Sequence, residues 1–86
     1  MAYRIELKRS ALKELDKAPK AVAGRLWAAI DALAAEPRPD GARKVRGHER
    51  AYRIRVGDWR IIYEVHDDQL LVLVIRARHR KDVYRG

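Results

Sequence analysis

The chain has 86 residues and no cysteine, with 20 Lys and Arg against 12 Asp and Glu for a formal net charge of +8. A chain this short buries roughly 60–65% of its unfolded surface, enough for one domain with one modest core. Disulfides and thiolate metal sites are excluded, and His48, His66 and His79 lack paired metal-ligand spacing, so neither a metal nor another cofactor is expected. No apolar run reaches the length of a membrane span and the opening residues do not read as a signal peptide, so the expectation is a cytoplasmic protein with no membrane partner.

Tyr3 to Lys8 alternates, with Tyr3, Ile5 and Leu7 on one side and Arg4, Glu6 and Lys8 on the other, which predicts a short half-buried strand. Ser10 is placed to N-cap a helix carrying Leu12 and Leu15. Lys13 stands where a capping-box glutamate would be needed, so only half of that motif is present. Pro19 interrupts the pattern and suits the first turn of a second helix, in which Val22, Leu26, Ile30 and Leu33 form an apolar stripe. Trp27 lies at the edge of that stripe and reads as packing. The stretch Glu36–Gly41, "EPRPDG", ends the helix.

Three strands are then predicted: Tyr52–Val56, Trp59–His66 and Leu70–Ala77, joined by the two-residue links Gly57-Asp58 and Asp67-Asp68. Glycine at the first central position favours a type II′ turn and a tight antiparallel hairpin. Leu70 to Ile75 is apolar without alternation, as a central strand requires. The order β-α-α-β-β-β makes residues 1–86 a single α+β domain, a helical hairpin packed on one face of a mainly antiparallel four-stranded sheet.

The charge is unevenly spread. Up to Ala42 there are 8 Lys and Arg against 6 Asp and Glu; from Arg43 onward there are 12 against 6, and 10 of those 12 cations are arginine. Arginine's planar fork suits bidentate phosphate binding. A two-residue turn at Gly57-Asp58 sets Arg55 opposite Arg60 and Arg53 opposite Ile62, so Arg53, Arg55 and Arg60 share one face. Tyr52, Ile54, Ile61 and Tyr63 take the other, under the helices. Like charges directly opposite destabilise a hairpin by roughly 0.2–1 kcal/mol, and Glu64 relieves only part of this. A two-residue link at Asp67-Asp68 sets Arg60 opposite Ile75 and carries Ala77 and His79 onto the arginine face. The expectation is a groove floored by Ile62 and Ile75, walled by three guanidinium groups and ended by an imidazole.

The tail from Arg76 to Arg85 surrounds His79 with arginines and Lys81, with Tyr84 five residues beyond the histidine. Histidine titrates near neutrality and can lend or accept a proton, and tyrosine can donate a hydrogen bond or stack on a base. Arginine stabilises developing phosphate charge but is a poor base, with a pKa above ~12. The residues alone leave open a nuclease, a domain that binds nucleic acid, anionic lipid or an acidic protein, and a merely solvated basic surface.

"KVRG" at Lys44–Gly47, "YRIRVGDWRIIYEV" at Tyr52–Val65 and "HRKDVYR" at His79–Arg85 resemble the RelE/ParE superfamily of toxins from bacterial and archaeal toxin–antitoxin pairs, and the opening "MAYRIELKRSALKELDKAPK" is similar to that family's first strand and helix. The resemblance spans essentially the whole chain. It implies a RelE-like fold and a metal-independent endoribonuclease that cleaves mRNA in the ribosomal A site by attack of a ribose 2′-hydroxyl on its own 3′-phosphate. It implies Arg53, Arg55, Arg60, His79, Arg80 and Tyr84 as catalytic residues, with Lys44, Arg46, Arg78 and Lys81 as further substrate-binding cations. The implied partners are mRNA, rRNA and a cognate antitoxin protein laid across the basic groove. Two features depart from the family pattern. Arg53 and Arg55 stand where RelE itself has lysines, and Arg43 occupies the place of a glutamate base used in a related branch. The general base is therefore unassigned, with His79 first in line and Tyr84 stacking or sharing that role. The alternatives are a ParE-like toxin acting on DNA gyrase and a basic binding homologue without activity.

Overall fold

A computed structural model describes residues 2–83. The elements are β1 (Arg4–Leu7), α1 (Arg9–Lys17), α2 (Lys20–Ala32), β2 (Arg43–Lys44), β3 (Ala51–Val56), β4 (Trp59–His66), β5 (Leu71–His79) and a final turn of helix, α3 (Arg80–Val83). The strands form one sheet in the order β1-β5-β4-β3-β2, with β1 parallel to β5 and every other pair antiparallel. The α+β architecture is as expected, but the sheet has five strands rather than four. The additional strand, β2, is two residues long, too short to show alternation in sequence.

The helices pack on one side of this sheet. Helix α1 buries Ala11 and Leu15, and α2 buries Leu26 and Ile30 with Leu33 just beyond it; these meet Ile54, Ile61, Tyr63, Val72 and Val74 from the strands. The stripe read from α2 is thus the core seam, and Trp27 at its edge is 38% exposed. Tyr63 is fully buried, stacks on Tyr52 at 6.1 Å and donates its hydroxyl to the Pro37 carbonyl at 2.8 Å. That bond satisfies the one polar atom the ring takes into the core. Burial pushes the Tyr63 phenol up to about 12.

The β3–β4 hairpin has the expected register, with Val56 opposite Trp59, Arg55 opposite Arg60 and Arg53 opposite Ile62. Gly57 has φ +60° and Asp58 does not share the positive sign, the pattern of a type II′ turn. The β4–β5 connection differs from the two-residue link. Asp67–Gln69 forms a single 3-10 turn and Leu70 follows with φ +49°, so Glu64 pairs with Leu73 instead of Leu71. A slip of two residues leaves every side chain on its expected face. The face reverses further along, where the pairing passes from Tyr63–Val74 to Ile62–Arg76 and Ile75 is left as the extra residue of a β-bulge.

The bulge sits where β1 stops alongside Val74 and α1 takes over the edge of β5. Ser10 does not N-cap α1, because the helix begins at Arg9 with Lys8 in the cap position; its hydroxyl donates to the Ile75 carbonyl at 2.9 Å. One turn on, Glu14 accepts the Ala77 N–H at 3.1 Å. Two side chains of one helix face thus supply the edge bonds that a longer β1 would have made.

Candidate functional site

The sheet face away from the helices carries two cross-strand rows of arginine. In one row Arg43, Arg53, Ile62 and Arg76 lie side by side across β2, β3, β4 and β5; in the next, Arg55, Arg60 and Arg78 do so. The expected trio of Arg53, Arg55 and Arg60 does share this face. Arg43, Arg76 and Arg78 join it, so six arginines and Ile62 make up the two rows. Among the described residues the acid that reaches these rows is Glu14, whose carboxylate takes Arg78 Nε at 2.9 Å and lies 3.6 Å from Arg76. Arg53 and Arg55 are exposed, and Arg60 is half-buried.

His79 is not on this face. The two-residue slip at the turn and the bulge at Ile75 together put Arg78, not Ile75, opposite Arg60, and the bulge turns Ala77 into the core and His79 to the helix side opposite Trp59. The imidazole meets the Trp59 ring edge to face at 5.6 Å, and its Nδ1 accepts the Lys81 N–H at 3.2 Å. A groove ended by an imidazole is therefore replaced by one ended by Arg78 and the cations of α3. Tyr84 lies outside the described residues.

Arg55, Arg60, Arg80 and Lys81 converge on a pocket of about 460 Å³ beside the hairpin tip. The type II′ turn brings Arg55 and Arg60 together, and the Arg80 N–H bonds the Asp58 carbonyl at 2.7 Å, which fastens α3 against the same turn. Four cations around one opening are suited to a doubly liganded phosphodiester, with bidentate contacts from the arginines. Lys44 and Arg46 are not brought to this pocket. Lys44 pairs with Tyr52, on the opposite parity from Arg43, and both cations border a separate shallow concavity with His48 and Glu49.

At the far end of the arginine face, the His66 ring bridges Glu64 (2.8 Å) and Arg50 (2.9 Å). On the side of Tyr52 and the 3-10 turn, Arg38 ties the post-α2 loop down by bonding Asp67 at 2.5 Å and Tyr52 Oη at 3.2 Å. Tyr3 donates to the same carboxylate, and the Arg38 and Tyr3 hydrogen bonds hold the Asp67 carboxyl below its ordinary value. Neither cluster was visible in sequence, since each joins residues distant along the chain. Arg76 and Arg78 were legible as basic, but their face depends on the bulge.

Compared with known proteins, residues 5–84 match the family of the ParE toxin of type II toxin–antitoxin systems, parDE. The chain is 33% identical over 88 residues to the mRNA interferase toxin RelE of Escherichia coli K12, covering 98% of this chain and 92% of that one. Its fold superimposes on the toxin of the archaeal RelE–RelB complex from Pyrococcus horikoshii with a TM-score of 0.82 at 30% identity and full coverage of both chains. The Escherichia coli RelBE toxin–antitoxin complex gives a TM-score of 0.80 at 29% identity, covering 91% of this chain and 96% of that one. With family, sequence and fold in agreement, the chain belongs to the RelE/ParE superfamily of toxins of type II toxin–antitoxin systems.

Proposed function

We propose that the chain is a ribosome-dependent endoribonuclease that cleaves mRNA and so inhibits translation. The observation that carries this reading is the pair of arginine rows ending in the pocket of Arg55, Arg60, Arg80 and Lys81. In the proposed reaction the ribose 2′-oxygen forms a bond to the adjacent phosphorus and the bond to the 5′-oxygen breaks. The products are a 2′,3′-cyclic phosphate and a 5′-hydroxyl. Arg55, Arg60 and Arg78 hold the scissile phosphate and stabilise the charge that grows on its oxygens, while Arg53, Arg80 and Lys81 hold the flanking backbone. The 2′-hydroxyl proton must leave for a base and the departing 5′-oxygen must gain one. A guanidinium is a poor base; Tyr84, which the family resemblance names and which lies outside the described residues, is the group we assign a share in that proton transfer.

The likeness to toxins solved in complex with RelB supports a cognate antitoxin as this chain's partner. A segment that covers the arginine face would block the phosphate site directly. The ParE name of the matching family favours a second reading, inhibition of DNA gyrase by protein contact. One experiment separates the two. The purified chain is added to ribosomes stalled on a defined mRNA with an empty A site, to the same mRNA without ribosomes, and to gyrase with relaxed plasmid. The nuclease reading expects cleavage with ribosomes only and unimpaired supercoiling. Intact mRNA with blocked supercoiling would overturn it.

A further inference from the structure

The hairpin tip has two sides, and the second carries a pocket of its own. We propose that this pocket, between α2 and the tip, binds a nucleobase adjoining the phosphate held on the arginine face. The inference rests on the RNA-binding reading above and adds to it a site for the base.

The pocket measures about 420 Å³ and is bordered by Arg25, Asp58, Trp59 and His79, with Pro19 and Val22 on its apolar side. Gly57 and Asp58 also line the cationic pocket, so the two openings share a rim. A chain whose phosphate sits against Arg55 and Arg60 therefore has its next base within reach of the second opening. Trp59 is half-buried and meets His79 edge to face, an arrangement that leaves the walls aromatic. Arg25 is exposed and has no carboxylate within salt-bridge distance among the described residues. Its guanidinium lies over Gly57, 3.3 Å from where a Cβ would stand, so the absence of a side chain at 57 is what lets Arg25 lean across the tip.

These groups are suited to a base. Indole, imidazole and guanidinium planes all stack on nucleobases, irrespective of sequence. Asp58, on the rim the two openings share, can accept hydrogen bonds from the amino or imino edge of a base. The bulge at Ile75 gives His79 this place: it removes the imidazole from the arginine face and sets it beside Trp59.

The test uses the chain with Trp27→Phe, which leaves Trp59 as the single indole of the two in the sequence. Trp27 is partly exposed on α2, apart from the pocket. A short single-stranded RNA and its abasic counterpart, equal in length and charge, are titrated at low salt. The RNA should quench Trp59 emission and bind about tenfold more tightly than the abasic strand, which should bind without quenching. Arg25→Ala in the otherwise unaltered chain should weaken RNA binding about tenfold and leave abasic binding within about twofold. Equal affinity for both strands with no quenching would overturn the base site while leaving the phosphate site intact. Equal losses for both strands in Arg25→Ala would make Arg25 a phosphate contact and overturn it too. Binding of neither strand would overturn the RNA-binding reading itself.

Discussion

Arg60 stands between Arg55 and Arg78 in the second arginine row, so replacing it removes two like-charge neighbours at once. Cross-strand like charges cost roughly 0.2–1 kcal/mol per pair, which makes Arg60→Gln stabilising by about 0.4–2 kcal/mol at low ionic strength. For a domain of this size each kcal/mol shifts Tm by roughly 4–8 °C, so a rise of several degrees is expected. Glutamine keeps enough of the side chain to cover the neighbouring Ile62, and Arg60 is only half-buried. Thermal unfolding in ~20 mM and ~1 M salt provides the assay, since the screening length falls to ~3 Å at the higher concentration and should erase most of the gain. RNA cleavage should fall in the same variant. A drop in Tm, or a gain that persists unchanged in high salt, would refute the claim that this face is held together against its own repulsion.

Glu14→Ala leaves the buried Ala77 N–H without its acceptor and frees Arg78, and should cost about 1–3 kcal/mol by denaturant unfolding, whereas Glu14→Gln, which keeps an acceptor oxygen, should cost less. Gly57→Ala puts a Cβ at φ +60° and against Arg25, and should cost about 1–2 kcal/mol in the same assay. Tyr63 keeps its proton in the fold up to about 12 but releases it near 10 once unfolded. Below pH 10 both states are protonated and nothing changes; between about pH 10 and 12 the unfolded chain is favoured, and stability should fall by about 2–3 kcal/mol in a pH series of denaturant melts. Tyr63→Phe should flatten that fall.

Local chemistry explains how much of this was legible. The β3–β4 hairpin could be registered from sequence because glycine at the first turn position leaves one tight turn, and one turn leaves one register. The core face of α2 followed from its spacing. The β4–β5 pairing was not legible, because two departures combine there: a 3-10 turn closed by Leu70 in a left-handed conformation, and the bulge at Ile75. Neither has a sequence mark of its own; the bulge is held by Ser10, 65 residues away, and the neighbouring Ala77 N–H by Glu14. Its consequence is the largest correction to the candidate site: His79 leaves the arginine face for the helix side, and Arg76 and Arg78 take places on that face. Arg43 escaped notice as a member of the face because two residues of β2 show no periodicity.

If the arginine face holds the scissile phosphate of mRNA, removing a guanidinium from it should suppress the cut. The most direct measurement is to map mRNA 5′ ends in growing cells that express the chain, its Arg60→Gln and Arg78→Gln variants, and its Trp27→Phe control. Codon-phased 5′-hydroxyl ends within translated regions are expected for the parent chain and the control. They should be strongly reduced in both arginine variants, with each variant folded and present at equal level. Undiminished cleavage in Arg60→Gln and Arg78→Gln, or growth arrest by the parent chain with mRNA intact, would show that the arginine face does not hold the scissile phosphate.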